Sequence, residues 1–348
     1  MSRGLSLVSG CDTFCGRADG YGRRVRRVFV GATAVLLVVA PAGCGGEQST
    51  LAPESHASRS VATLWWVMLI GSTVVFAVVT MLVLVTLLKR RGRLDRVDRR
   101  TGGATAVLVS GAVVPTVVLI AFFVYVLTSL SATAQPTAKS ARLTIDVEGK
   151  QWFWAVRYPQ QGIRTANEIH IPVRTAVRVV ATTHDVIHSF WVPRLNRKID
   201  MIPGRRNSIL LRADEAGIYR GQCAEYCGLQ HANMAFYVVA ESRAQFDRWV
   251  ARERRRSTRA MPGEKVFLSV GCSACHRIAG VSHGTIGPDL SHVGSRLTIA
   301  AGTLPNSKGW LGGWILDPQH VKPGNKMPAL PIRGDQLQAL LDYLESLK

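Results

Sequence analysis

Long apolar runs dominate the first third of the chain. The runs Leu64 to Leu88 and Ala104 to Leu130 are each at least 20 residues long, almost uncharged and rich in Val and Leu. Each is long enough to cross roughly 30 Å of hydrocarbon as a helix. The pattern therefore predicts a hairpin of two transmembrane helices over residues 64–130.

A shorter apolar run, Val28 to Ala40, comes before this hairpin. Several arginines precede it, and small residues follow it up to Cys44. The order basic, apolar, small is typical of a signal peptide. We therefore expect a cleaved signal peptide over residues 1–43, lipid attachment at Cys44, and an exported segment over residues 44–63.

The charge of the chain supports this topology. The formal net charge is +20, which alone would suggest nucleic acid or an anionic membrane as a partner. However, Lys89 to Arg100 hold seven basic and two acidic residues between the two apolar runs, as in a cytoplasmic loop. Everything after Leu130 is then extracytoplasmic. No nucleic-acid-binding motif is recognisable, so the expected partner is the lipid bilayer of the cell membrane.

The hydrophobic pattern changes at about residue 141. Short β-like runs, separated by Pro and Gly turns, replace the long apolar ones and predict a small β-sandwich over residues 141–250. The predicted strands are Leu143 to Val147, Ile169 to Val173, Val177 to Thr182, Ser208 to Leu211, and Phe236 to Val239.

Soft metal ligands are concentrated near the end of this predicted sandwich. Cys223, Cys227, His231 and Met234 bring together two thiols, an imidazole and a thioether, a combination that selects copper. Two cysteines four residues apart can bridge two metal ions, and His188 is the candidate for a second imidazole. A Cys-x3-Cys pair alone would also suit a copper chaperone, a zinc site or a disulfide.

These stretches closely resemble subunit II of cytochrome c oxidase and its dinuclear copper centre, CuA. The resemblance implies a cupredoxin-like sandwich. It also implies a ligand set with bridging thiolates from Cys223 and Cys227, terminal imidazoles from His188 and His231, Met234 as a weak ligand, and Glu225 as a ligand through its backbone carbonyl.

Further roles follow from the same resemblance. Trp152, in Gln151 to Trp154, matches the tryptophan at which electrons enter the copper domain of the family. The side chain of Glu225 helps to hold a magnesium ion at the interface with the catalytic subunit. Leu108 stands where the second helix of the family often has a Glu.

A second motif lies beyond a basic linker over residues 251–260. Cys272, Cys275 and His276 form the Cys-x-x-Cys-His signature of covalent c-type haem attachment. Met327 is the candidate for the other axial ligand of the iron. The stretch around Pro288 resembles the class I cytochrome c loop, in which the proline carbonyl accepts a hydrogen bond from the axial histidine. Residues 261–348 are therefore expected to form an all-α cytochrome c domain.

Together the resemblances indicate the electron-input subunit II of a caa-type haem–copper oxidase. Electrons would pass from a covalent haem c to CuA and on to subunit I, which reduces O2 to water with proton pumping. The expected partners are subunits I and III and an upstream donor, either a quinol-oxidising complex or a cytochrome c. Two alternatives remain open: the electron-transfer subunit of a CuA-containing nitric oxide reductase, and a copper-delivery protein.

Overall fold

The computed structural model of the chain describes residues 46–89, 102–132, 141–255 and 261–348. The expected signal peptide and Cys44 lie outside the described residues, as do most of the basic loop and residues 256–260 of the expected linker. All the elements named below belong to one compact unit, Glu47–Lys348.

The first apolar run lies in helix α1, His56–Lys89, which begins before the run itself. Its first turn is capped by Ser55 and Ser58, since each backbone N–H donates to the other hydroxyl at 3.0 and 3.1 Å. Ser58 Oγ also donates to the carbonyl of Arg194, at 2.8 Å, and the Ser55 hydroxyl donates to that of Leu195. The helix therefore starts on the folded domain that follows.

The second apolar run forms a helix interrupted by a π-helical turn. Helix α2, Gly102–Leu108, continues through the turn Val109–Val113 into helix α3, Val114–Ala132. Pro115 has no N–H, and its ring would crowd the carbonyl four residues earlier, so the helix widens just before it. Two stretches, His56–Leu87 and Thr105–Thr128, are long and apolar enough to cross a membrane.

Residues 141–255, which we call the sandwich domain, form two five-stranded sheets. The strands are β1 Leu143–Lys150, β2 Phe153–Tyr158, β3 Ile163–Ala166, β4 Glu168–Pro172, β5 Val177–Thr183, β6 His188–Trp191, β7 Ile199–Met201, β8 Asn207–Leu211, β9 Gly217–Cys223 and β10 Ala235–Glu241. The first sheet has the strand order β3-β2-β1-β5-β8 and the second β4-β10-β9-β6-β7. Most neighbours are antiparallel, but β1 with β5 and β4 with β10 are parallel.

The core lies between these two sheets. Along β1, buried and half-buried residues alternate, so every second side chain faces inward. Trp154, Phe190 and Phe236 meet at the centre of the core with ring centroids 4.7 to 5.9 Å apart. Helix α4, Arg243–Glu253, packs Phe246 and Trp249 against the same core. It therefore extends past residue 250, where the sequence analysis placed the end of the domain.

Residues 261–348, which we call the C-terminal domain, are mainly helical. The helices are α5 Pro262–Ser269, α6 Cys272–Cys275, α7 Lys308–Leu316, α8 Pro318–Val321 and α9 Gly334–Ser346, and two short ribbons pair β11 Arg277–Ile278 with β12 Ser282–His283, and β13 Thr298–Ile299 with β14 Leu304–Pro305. The predicted fold class is confirmed: two apolar helices, a sandwich and a helical domain. The ribbons are an addition to the expected all-α domain.

Helices α5 and α9 form the centre of the C-terminal domain, where Phe267 and Tyr343 are fully buried. The two helices approach closely at Gly263, where an added Cβ would lie 2.0 Å from the carbonyl oxygen of Ala339. This crossing requires glycine because any larger residue would push the helix backbones apart.

We therefore expect Gly263→Ala to destabilise the C-terminal domain by about 1–3 kcal/mol through overpacking. Hydrogen exchange of the α5 and α9 amides measures this change. Gly313→Ala is the matched control: it lies in α7 with nothing within 4 Å of the new Cβ. It should change stability by no more than about 1 kcal/mol, in the stabilising direction. Equal protection in Gly263→Ala and in the unsubstituted chain would contradict the close crossing.

Candidate functional site

The predicted soft ligands meet at one end of the sandwich. The two sulfurs of Cys223 and Cys227 are 3.8 Å apart and unbonded to each other. Around them lie His188 Nδ1, 3.8 Å from Cys223 Sγ, and His231 Nδ1, 3.6 Å from Cys227 Sγ. Met234 Sδ is 3.8 Å from Cys227 Sγ. Three side chains thus converge on the two sulfurs.

Strand pairing explains this convergence. Cys223 ends β9, and its neighbour β6, which begins with His188, pairs with β9 through Phe190 opposite Cys223. The remaining ligand side chains lie on the connection from β9 to β10, which folds back through a short 3-10 turn, His231–Asn233. The N–H of Cys223 donates to the carbonyl of Met234 at 3.0 Å and closes this connection into a compact loop.

Asp185 orients one of the two imidazoles. Its Oδ1 lies 2.8 Å from Nε2 of His188, which leaves Nδ1 of His188 facing the sulfurs. Burial raises the pKa of Asp185, but hydrogen bonds from His188 and from the N–H groups of Gln151 and Val186 outweigh it, so the pKa lies below its usual value. A charged carboxylate therefore holds the ring as a metal ligand needs.

The two thiols differ in acidity because they are so close together. The hydrogen bond they share lowers the pKa of Cys223 and raises that of Cys227. Hydrogen bonds with the His188 side chain and with the backbone of Glu225 and Ser189 further lower the pKa of Cys223. One sulfur is thus already poised as a thiolate, the form that binds metal.

The donor set fits copper. His188, Cys223 and Cys227 are all buried, and their ligand atoms lie within 4.8 Å of one another. Two sulfurs, two imidazoles and a thioether are soft or intermediate ligands, which suit copper and not magnesium or calcium. The frame of two packed sheets positions these side chains.

The backbone carbonyl and the side-chain carboxylate of Glu225 lie in different surroundings. Its backbone oxygen lies 3.2 Å from Cys223 Sγ, at the edge of the cluster. Its side chain points away, with Oε2 at 3.4 Å from Lys198 Nζ near the surface. His184, which the sequence analysis left out of the site, lies outside the cluster and pairs with Glu148 at 2.9 Å.

Trp152 lies between a cavity and the loop from β9 to β10 that carries the candidate copper ligands. Its indole N–H donates to the carbonyl of Cys227 at 2.9 Å, and the Gln151 amide donates to the same oxygen at 2.9 Å. The other side of Trp152 lines a cavity at the junction with the C-terminal domain.

This cavity, which we call the haem cavity, brings together the candidate haem residues. Cys272, Cys275, His276 and Met327 all line it, and Trp314, Ile286 and Leu330 provide apolar walls. His276 Nδ1 lies 2.9 Å from the carbonyl of Pro288, to which it donates, so Nε2 is left for a metal. Burial lowers the pKa of His276 and favours the neutral, ligating form. A covalent c-type haem therefore fits this cavity.

The cavity also depends on Gly287. A Cβ at this position would lie 2.6 Å from the ring of His276, so only glycine allows the loop to pass this close to the imidazole. Sequence reasoning named the candidate haem residues from their motif, but it gave no role to Gly287 or Asp185 and did not predict the apolar walls. Asp185 had a signal, an acid three residues before the candidate ligand His188.

Two protein-family models match the chain, one in each of the two domains. The family model described as cytochrome c oxidase subunit II, periplasmic domain, matches residues 159–242. The cytochrome c family model matches residues 260–348.

Individual relatives cover most of the chain. The cytochrome c oxidase subunit 2 of Alkalihalophilus pseudofirmus is 36% identical over 292 residues, which span 81% of this chain and 84% of that protein. The chain belongs to the cytochrome c oxidase subunit II family. The subunit 2 of Bacillus subtilis is 29% identical over 345 residues, 90% of this chain and 97% of that protein. The periplasmic domain of subunit II of the Bradyrhizobium japonicum cytochrome oxidase is 34% identical over 35% of this chain and 97% of that structure, with a TM-score of 0.33.

Membership makes this chain a subunit of a haem–copper oxidase, and its two domains imply copper and haem c. The matched periplasmic domain and the two apolar helices fit a membrane protein with an extracytoplasmic part. In this family the subunit II chain works with a catalytic subunit I.

We expect Asp185→Asn to lower copper affinity roughly 10–100-fold, because the substituted amide no longer holds His188 with a negative charge. Competition titration with a chelator measures this affinity. Glu148→Gln is the matched control: it removes the acid that pairs with His184, outside the cluster, and should leave the affinity unchanged. Equal affinities for all three proteins would show that Asp185 does not orient the ligand.

Proposed function

We propose that this chain is the electron-input subunit of its oxidase. Electrons enter at the C-terminal domain, cross to the sandwich domain beside Trp152, and leave toward subunit I, which reduces O2 to water with proton pumping. When bound, haem c and a dinuclear CuA centre each carry one electron at a time. The proposed partners are subunits I and III and an upstream donor, either a quinol-oxidising complex or a cytochrome c.

One observation carries this proposal: Trp152 belongs to both sites. Its ring lines the cavity that holds Cys272, Cys275, His276 and Met327. Its indole N–H is bonded to the carbonyl of Cys227 at 2.9 Å. One side chain therefore joins the proposed haem site to the proposed copper site.

Each residue of the two sites has a separate task in this proposal. In the sandwich domain Cys223 and Cys227 would hold two copper ions between their thiolates, His188 and His231 would supply the imidazole ligands, and Met234 and the carbonyl of Glu225 would be weak ligands. The 3.8 Å between the two sulfurs suits a shared pair of ions. The residues of this copper set are His188, Cys223, Glu225, Cys227, His231 and Met234.

In the C-terminal domain Cys272 and Cys275 would attach the haem, and His276 and Met327 would be the ligands of its iron. The carbonyl of Pro288 fixes the ring of His276. A thioether opposite an imidazole raises the potential of the iron, as an electron carrier requires. The apolar walls of the cavity exclude water, which would also raise the potential of the iron.

The exposed side chain of Glu225 is proposed as the contribution of this chain to a magnesium site shared with subunit I. Lys198 pairs with it at 3.4 Å and would have to move aside. The names of the relatives favour the oxidase over a nitric oxide reductase or a copper-delivery protein.

A dinuclear centre has a distinctive spectrum that tests the copper set. The copper-loaded chain should show one unpaired electron shared equally by two coppers in electron paramagnetic resonance. Cys227→Ser should abolish this signal, because a protonated hydroxyl cannot replace a bridging thiolate. The control, Cys44→Ser, should keep it. A single-copper spectrum in the unsubstituted chain would overturn the dinuclear assignment.

The position of Trp152 predicts a second result. In the intact oxidase, Trp152→Phe should slow electron transfer from the haem to the copper, because the indole N–H bond to Cys227 is lost. Photochemical reduction of the haem, followed by absorbance at the haem and copper bands, measures this rate. Trp310→Phe, an exposed tryptophan in α7, is the control and should leave the rate unchanged. Equal rates in all three proteins would remove Trp152 from the path.

A further inference from the structure

Lys322 is a deeply buried lysine at the junction of the two domains. It follows helix α8 of the C-terminal domain, and only 2% of its surface is exposed. Its ammonium nitrogen donates to three backbone carbonyls: Trp152 at 3.1 Å, Asn233 at 2.7 Å and Ala300 at 3.2 Å. The three N–H groups of the ammonium are thus all used.

This burial needs an explanation. An ammonium loses its hydration when it is buried, and burial lowers the pKa of Lys322 to about 7. In the described part of the chain no carboxylate forms an ion pair with it, and its partners are neutral carbonyls. A leucine or methionine would fill the same space without this desolvation cost. The buried lysine therefore points to a role that needs several hydrogen-bond donors on one side chain.

The three carbonyls belong to different parts of the molecule. Trp152 lines the haem cavity, and Asn233 directly precedes the copper ligand Met234. Both are in the sandwich domain. Ala300 is in the C-terminal domain, in a left-handed backbone conformation with φ of 53°, which turns its carbonyl toward the lysine. One ammonium therefore joins the two domains beside both redox sites.

Other cross-domain hydrogen bonds surround this contact. The N–H of Ala235 donates to the carbonyl of Ala301 at 2.9 Å, which joins the start of β10 to the C-terminal domain. The Gln230 amide donates to the carbonyl of Pro323, next to Lys322, at 2.7 Å. The two domains are therefore held together by direct hydrogen bonds and not only by the linker between them.

We propose that Lys322 is a positioning residue for electron transfer. It holds the C-terminal domain against Trp152 and the turn His231–Asn233, so that the haem cavity keeps one fixed separation from the copper cluster. The inference rests on the proposed function and adds to it the residue that fixes the geometry between the two sites.

The first test measures docking without electron transfer. In Lys322→Met, hydrogen exchange should rise at the cross-domain amides of Ala235 and Leu297, which donate to Ala301 and to Glu168. The matched control is Lys265→Met, which removes an exposed lysine of the same domain, and its exchange should equal that of the unsubstituted oxidase. Unchanged exchange in Lys322→Met would overturn the proposal.

The second test measures the reaction in the intact oxidase. After photochemical reduction of the haem, transfer to copper should be at least about tenfold slower in Lys322→Met, because lost charge-assisted bonds shift the docking equilibrium. The slower rate should fall further as solvent viscosity rises, since re-docking then limits it, whereas the unsubstituted rate should not depend on viscosity. Lys265→Met should behave like the unsubstituted enzyme.

Two results would contradict a positioning role. A rate within twofold of the unsubstituted enzyme would do so. A slower rate that does not depend on viscosity, together with a shifted haem or copper potential, would show that Lys322 acts through its charge alone. If Lys322→Met fails to retain haem or copper, the same measurements on Lys322→Gln decide, because the shorter amide keeps two donors and should give an intermediate, viscosity-dependent rate.

Failure of the proposed function would look different. It would appear in the unsubstituted enzyme as the absence of any haem-to-copper transfer, and the positioning role would then fall with it. Normal transfer in the unsubstituted enzyme, combined with normal transfer in Lys322→Met, would reject the role of Lys322 alone.

Discussion

The close approach of two sulfur atoms organises the sandwich domain. Cys223 and Cys227 can lie 3.8 Å apart only because β9 ends at one of them and the following loop returns at once. Buried thiols, imidazoles and a thioether tolerate this crowding only in a rigid frame, which the two packed sheets supply. The aromatic core of Trp154, Phe190 and Phe236 lies directly behind the loop, and the Trp154 indole donates to the carbonyl of Met234 at 3.4 Å.

Most of the proposed ligands could be predicted from the sequence because they are local. Five of the six copper residues lie between Cys223 and Met234, and the haem-attaching residues are adjacent on one helical turn. Such motifs can be recognised from spacing along the chain alone. The membrane helices were predictable for the same reason, since apolar length alone decides whether a segment can cross a bilayer.

Contacts between distant parts of the chain were not predictable. The predicted strands did not include β2, β3, β6, β7 or β9. The aromatic stretch of β2 was read only for its resemblance, and β9 mixes polar and apolar residues. The role of Lys322 had no signal at all, because nothing in its neighbourhood along the chain indicates three carbonyl partners from residues 152, 233 and 300. Such features depend on how two domains pack, which propensity and spacing do not encode.

The bonds at the start of helix α1 have a consequence for assembly in the membrane. Ser55 and Ser58 donate to the carbonyls of Leu195 and Arg194, and Arg59 pairs with Asp214 at 2.5 Å. The sandwich domain therefore cannot swivel freely about the helix that carries it. The end of the domain that carries Cys223 and Cys227 keeps one orientation relative to helix α1. For a partner subunit in the same membrane, finding that end becomes a search by lateral diffusion and rotation about a single axis, with far fewer wrong encounters than between two freely tumbling proteins.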